Sequence, residues 1–363
     1  MRARLPVLFG VFGVMALSNA IVPVLPLLAE GATVQGAIYS AYFLGALLLV
    51  LPAGFLADRI GERPLIRAGL LLTLGSGLAL CFADSPVLIL SARLVEGFAA
   101  GLFVPASLAL LNSRPDHDRM SGYFMALLNL GLVSGLVAAG FLVRMSGNEY
   151  AGVIAFTGFC LVPFALSIFM PEKVPSRTLP PESRKESFFR ISHLLSNYFW
   201  LWLSAVVLIG ITGALTAHYP EYTDLPPDLI SVQIAAMSVA TAVAILLTSH
   251  SRFDPVALIR IASVAMAAGV LLVIVSPWGF LVVGWLAGMV MVAQLSFLAI
   301  AEPRQGLVMG LFSTASYGGM ALLPFIAGVL VEGFGFLPAF CALAASTLLI
   351  AATIGRCRCR AAV

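Results

Sequence analysis

Hydrophobic positions in this chain come in long unbroken runs, without the alternation of a strand or the single stripe of a soluble helix. The runs cover 5–28, 34–56, 65–83, 86–111, 120–143, 150–170, 198–218, 228–248, 256–275, 278–301, 306–331 and 335–355. Each is close to the roughly 20 residues a helix needs to cross a hydrocarbon core at about 1.5 Å per residue. In lipid every backbone N–H and C=O must be paired within the segment, so each run is read as a helix. A transmembrane β-barrel would show alternation instead. The pattern predicts an all-α membrane protein with twelve transmembrane helices. The first run, behind Arg2 and Arg4, imitates a secretory leader, but it is too long and has no clear small-x-small cleavage site. It is expected to be retained as the first span.

Composition agrees and narrows the class. Hydrophobic residues make up 61% of the 363 positions and charged residues 10%, against about 25% charged in soluble domains. The placement of charge then supplies an orientation. With the N-terminus in the cytoplasm, 18 of the 20 Lys and Arg fall on cytoplasmic segments, leaving only Arg93 within a span and Arg144 outside. The outer connections carry Glu30, Asp84, Glu149, Glu221, Asp224, Asp228 and Glu332 instead. By the positive-inside rule both termini are expected in the cytoplasm, with the chain in the plasma (inner) membrane. Five cysteines are present; Cys81, Cys160 and Cys341 lie in apolar runs, and the Cys357-x-Cys359 pair has no further ligand nearby to make a metal site.

The longest polar stretch, 171–197, holds the only two lysines, Lys173 and Lys185. It divides the chain into an N-terminal six-helix bundle (1–170), a cytoplasmic linker (171–197) and a C-terminal six-helix bundle (198–363). The bundles repeat one another. A shift of 188 carries Gly122, Gly131 and Gly140 onto Gly310, Gly319 and Gly328, and a shift of 191 carries Gly97 onto Gly288. Arg59 and Arg67 are eight apart after span two, as are Arg252 and Arg260 after span eight. Duplicated bundles of this kind recur in transporters, with the substrate site near the midplane between the halves.

After span two the chain reads Gly54-Phe55-Leu56-Ala57-Asp58-Arg59-Ile60-Gly61-Glu62-Arg63-Pro64. This resembles the signature loop of the major facilitator superfamily, and with twelve spans and a central linker the resemblance covers the whole chain. It implies that Gly54, Asp58, Arg59, Gly61 and Arg63 form a cytoplasmic gating loop, with Asp58 bridging to the start of helix eleven. Glu62 departs from the arginine usual in the family. The fourth span's Arg93-Leu94-Val95-Glu96-Gly97-Phe98-Ala99-Ala100-Gly101 is similar to a second family pattern. The fifth span carries the glycine frame typical of the family's drug antiporters, but Leu136 occupies the proline position and the proline appears at its repeat mate, Pro324. The resemblance is thus to a drug-efflux-like member with an incomplete antiporter signature.

Candidate coupling and substrate residues follow from burial chemistry. Arg93 and Glu96 are three apart, share a helix face and can pair; ionisable groups within a span are costly and are functional candidates by default. Glu96 is the candidate proton site and Arg93 its modulator, although an ion pair that only braces the fold has the same spacing. Asn19, Asn129 and Tyr317 sit on helices that line the cavity in the resembled family. Gln35, Tyr39, Asn112, His218, Tyr219 and Gln294 complete the polar inventory, and most such side chains brace neighbouring helices. His218, before Pro220, is expected at the outer interface. No G-x-x-x-x-G-K-[ST] loop is present, so no nucleotide or other cofactor is called for. The function expected is secondary active transport of a small organic solute by alternating access, with proton-coupled efflux as its specific form. The expected partners are the solute, protons and membrane lipid; nucleic acid is not expected, and the chain is expected to be a monomer. An enzyme is not expected, because the four histidines are scattered. A receptor or scaffold on a transporter fold is the remaining alternative.

Overall fold

The computed structural model describes residues 4–112, 117–170, 192–251, 253–301 and 305–356. Twelve of its helices are long and apolar enough to cross a membrane. They are α1 (Arg4–Ala20), α2 (Ala32–Ile60), α3 (Glu62–Cys81), α4 (Pro86–Asn112), α5 (His117–Ser146), α6 (Ala151–Ile168), α7 (Phe199–Tyr222), α8 (Pro227–Ser249), α9 (Pro255–Val275), α10 (Trp278–Ala301), α11 (Gln305–Phe334) and α12 (Phe336–Thr353). Among the described residues there is no strand. Most of the linker read from the sequence (171–191), together with Cys357 and Cys359, lies outside the described residues; 192–197 are helical and lead into α7.

Helix packing repeats every six elements. In the first six, α1 packs on α5 and α6, α4 on α2 and α3, and α6 on α3 and α5. The same pairs recur in α7–α12: α7 on α11 and α12, α10 on α8 and α9, and α12 on α9 and α11. The most deeply buried spans, α1 and α7, are repeat mates. Small residues let these seams close. Gly97 faces the Tyr42 carbonyl across α2–α4, and its mate Gly288 faces the Thr241 carbonyl across α8–α10. Gly131 faces the Phe12 carbonyl across α1–α5, and Gly319 faces the Val206 carbonyl across α7–α11. Backbone approach of this kind leaves no room for a Cβ, which is why glycine recurs at the repeat offset.

The two groups meet through α2 with α11 and α5 with α8, again a symmetric exchange. Both seams are tight at the distal end, away from the termini. Gly328 abuts the Ala32 carbonyl, Gly36 the Pro324 carbonyl, and Gly140 the Pro227 carbonyl and Ser231. At this end α1 gives way at Ile21 to a 3-10 turn (Val22–Val24) containing Pro23, then one helical turn (Leu25–Leu28); this extension packs against α5, α7 and α8. Toward the termini the α5–α8 seam parts. Gly122 of α5 has open space beside it, Asn129 is exposed, and α4 and α10 are not a packed pair among the described residues, while α2 and α11 stay in contact where Leu51 meets Gly310. Among the described residues the bundle is therefore closed distally and parts between α5 and α8 toward its terminal end.

The signature read as a gating loop is helical through Ile60, and the turn is confined to Gly61. Gly61 has φ +85°, a left-handed conformation that an L side chain rarely adopts, and it is both the C-cap of α2 and the N-cap of α3. The reversal needs one residue, so the remainder of the motif completes the helix.

Candidate functional site

The closed distal end sits above a polar cluster about 15 Å down α2, ten residues from its start at Ala32. Its centre is the Arg93–Glu96 pair. Three residues on α4 bring the side chains to one face, where Arg93 Nη1 donates to Glu96 Oε2 at 2.6 Å with both groups buried, 1% and 0% exposed. The Arg93 guanidinium also lies over the Tyr42 ring, 4.8 Å from its centroid, a cation–π contact that strengthens where water is excluded. Arg93 Nε and Glu96 Oε1 are buried without a hydrogen-bond partner. A buried ion pair with one nitrogen and one oxygen not bonded by the protein is an incompletely compensated charge site, suited to a proton, a water or a ligand group.

Around this pair stand aromatic side chains from both groups of helices. Tyr39, Tyr42 and Phe43 of α2 form a run, with Phe43 5.0 Å from Tyr42 and 5.3 Å from Tyr39 between ring centroids. Tyr317 of α11 closes it at 6.3 Å from Phe43. The Tyr39 hydroxyl lies beside Thr216 of α7, and that of Tyr42 beside Ser18 of α1. Five helices thus converge on one cluster of tyrosines, an arginine and a carboxylate.

The other candidates are placed as follows. Asn19 donates to the Leu132 carbonyl at 3.1 Å and ties α1 to α5. Asn129 bonds to its own helix at the Met125 carbonyl and is exposed. At 100° per residue it shares a face with Gly122 and Gly140, so it looks across the parted seam toward α8. Tyr317 occupies the repeat-mate position, on the face of α11 that holds Gly310 and Gly328. Of the signature residues, Gly54 has no neighbour within 4 Å of a built Cβ, Arg59 is exposed and Arg63 half-buried. The Asp58 side chain lies outside the described residues, so its bridge to helix eleven is not described. Gln35 bonds to the Ala29 carbonyl, Tyr219 to Gln233, and Gln294 to Ser204. These are braces between elements, while the Asn112 side chain lies outside the described residues. His218 differs from expectation. It is fully buried, and its Nε2 bonds the Pro324 carbonyl of α11 at 2.7 Å.

Sequence reasoning passes over two features. Arg144 pairs with Asp228 across the distal α5–α8 seam at 2.5 Å; the signal is present, because Arg144 is the one cation outside the charge asymmetry. Arg67 caps α6, its Nε donating to the Ser167 carbonyl at 3.0 Å and its Nη2 to the Met170 carbonyl at 2.9 Å. Its mate Arg260 lies against Gly355, just past α12.

Comparison with known proteins decides the family. Residues 7–225 match the model of the Major Facilitator Superfamily. The chain belongs to this superfamily. It is 24% identical over 356 residues to the quinolone resistance protein NorA of Staphylococcus aureus (strain MRSA252), covering 89% of this chain and 88% of NorA. It is 29% identical over 185 residues to the multidrug resistance protein MdtH of Aeromonas salmonicida (strain A449), covering 47% and 46% of the two chains. In fold it is similar to a point mutant of the nucleoside transporter NupG, with a TM-score of 0.81 at 12% identity over 98% of this chain and 100% of NupG. It is also similar to a bacterial homologue of the human lysosomal transporter Spinster in an inward-facing, occupied conformation, with a TM-score of 0.75 at 15% identity over 97% and 95% of the two chains. This major facilitator protein is an integral membrane transporter of small solutes and not an enzyme.

Proposed function

We propose that the chain is a secondary active exporter of amphipathic organic solutes, working by alternating access with proton coupling at Glu96. The observation that carries the reading is the Arg93–Glu96 pair with its unmet valences, set among Tyr39, Tyr42, Phe43 and Tyr317 beneath a closed distal end. Charge asymmetry supports both termini lying in the cytoplasm with the chain in the inner membrane, so that the distal end is the outer one and the cleft is open inward. The bundles 1–170 and 198–363 are then the rocking bodies, and the chain works as a monomer. Gly54, Asp58, Arg59, Gly61 and Arg63 belong to the cytoplasmic side, which would close when the outer side opens. The names of NorA and MdtH support efflux of drug-like compounds. The aromatic lining supports planar or ring-bearing solutes, through stacking and apolar burial. Asn129 and Tyr317, at mated positions on the two inter-bundle faces, would contact the solute, while Asn19 holds α1 against α5.

Coupling follows from competition at one place. With Glu96 ionised, Arg93 is held between it and the Tyr42 ring; a proton on Glu96 loosens that hold and frees Arg93 to turn to the solute. The test is transport of a panel of fluorescent aromatic solutes in proteoliposomes under an imposed pH gradient. Wild type should concentrate at least one of them against its gradient, and Glu96→Gln should abolish gradient-driven accumulation while leaving downhill exchange. Proton-driven transport undiminished in Glu96→Gln would remove Glu96 from the mechanism.

A further inference from the structure

The distal closure contains a duplicated feature. Asp228 is the second residue of α8 and Thr33 the second residue of α2, and these two helices are repeat mates. Arg144, near the end of α5, meets Asp228. The shift of 188 that relates α5 to α11 carries Arg144 onto Glu332, and Glu332 Oε2 accepts from the Thr33 backbone N–H at 3.3 Å. One turn deeper, Gly140 abuts the Pro227 carbonyl, and its mate Gly328 abuts the Ala32 carbonyl; Pro227 and Ala32 are the first residues of the same two helices. The same four positions are therefore used twice. A glycine on the long helix lets the first turn of the partner approach, and a charged residue one turn farther out fastens that turn.

The two copies use opposite charge. Neither α2 nor α8 has a side-chain cap at its N-cap residue, Gly31 or Pro226. In α2 the Thr33 N–H of the first turn is met by the Glu332 carboxylate from the other bundle, a favourable place for an anion. In α8 the anion is built in as Asp228, which is almost fully buried, and the other bundle supplies the cation. Of the other carboxylates of this end, Glu221 at the end of α7 is close enough to Glu332 to repel it.

We propose that Arg144–Asp228 and Glu332–Thr33 are the two symmetry-related arms of one latch that holds the distal end closed, and that the cycle requires both to part. The Arg144 arm is the stronger, because it joins two charges and its Asp228 carboxylate is buried, although Arg144 itself is 57% exposed, whereas the Glu332 arm joins one carboxylate to a backbone N–H, is exposed and is opposed by Glu221. This inference rests on the alternating-access reading, but its test uses conformation rather than transport, so the two can fail separately.

Spin labels at Met145→Cys on α5 and Val232→Cys on α8, in a chain with its five native cysteines replaced, report the distal separation by pulsed dipolar distance measurement in nanodiscs. The unmodified latch should give one short distance. R144Q should add a longer one and raise the open-to-closed ratio about tenfold, as expected for stranding a buried carboxylate. E332A should raise it about threefold, the scale of one lost hydrogen bond. D228R should open the seam and R144D/D228R should close it again, which a merely structural loss would not do. A single short distance in the R144Q/E332A double variant, or a charge swap that fails to reclose a monodisperse protein, would overturn the latch.

Discussion

Arg93 is the residue on which the most depends. It is among the largest fully buried side chains and is held between a carboxylate and an aromatic face. Removing it leaves Glu96 ionised without compensation or forces it to take a proton. Arg93→Ala should therefore cost about 3 kcal/mol of stability, while the paired replacement Arg93→Met with Glu96→Leu should recover most of the loss and still abolish coupling. Thermal unfolding of the detergent-solubilised variants separates the two, and an Arg93→Ala midpoint equal to wild type would mean the pair carries no structural weight. The pairing of Arg93 with Glu96 is legible in the sequence because three residues on a helix fix a shared face. Tyr42 as the third member is not, because its contact depends on how α2 crosses α4. His218 escapes sequence reading for a related reason. Hydropathy puts it at the end of a span, but there the Pro324 carbonyl of α11 lies 2.7 Å from its Nε2 and ties the buried ring to the neighbouring helix.

At the scale of elements, helix ends matter more here than helix interiors. The last turn of α6 leaves carbonyls short of intrahelical donors, and Arg67 from the start of α3 meets those of Ser167 and Ile168 and, two residues past the helix, that of Met170. Arg67→Ala should lower stability by about 2 kcal/mol, the worth of charge-assisted bonds at a helix C-terminus, and Arg67→Lys should recover part of it. An unchanged midpoint for Arg67→Ala would show that solvent or lipid headgroups serve those carbonyls equally well. The eight-residue spacing of Arg59 with Arg67 and of Arg252 with Arg260 is visible as a repeat, but only the structure shows that the second arginine of each pair lies at the end of the sixth helix of its own bundle. Gly61 makes a second test of the same region. Its φ of +85° makes Gly61→Ala costly by about 1 kcal/mol through backbone strain alone, and amide hydrogen exchange should then rise in the last turn of α2 and the first of α3. The sequence marks this stretch as important but cannot show that helix continues to Ile60, since a turn of one residue leaves no polar gap.

For the whole molecule, the count of spans is the most legible feature, because lipid imposes one rule on every backbone group. Repeat offsets also foretell the internal pairing, since close seams select glycine at fixed intervals. What the sequence cannot show is which end of the bundle is shut. Both ends carry small residues and charge, and a transporter must be stable enough in either state that neither is written as a single minimum. Only the contacts distinguish them: Arg144 with Asp228 and Gly328 with Ala32 at the distal end, against the open space beside Gly122 of α5 at the other. That asymmetry gives a decisive prediction. Cysteines at Arg144→Cys and Asp228→Cys, joined by a short cleavable thiol crosslinker, should trap the closed distal end. Net transport should fall to background and return on cleavage, because the α5–α8 seam that closes at Arg144 and Asp228 can then no longer part. Transport that continues with the ends joined would mean that solute reaches the far side without the α5–α8 seam parting, and the two bundles would then have to be read as a fixed frame around a moving element.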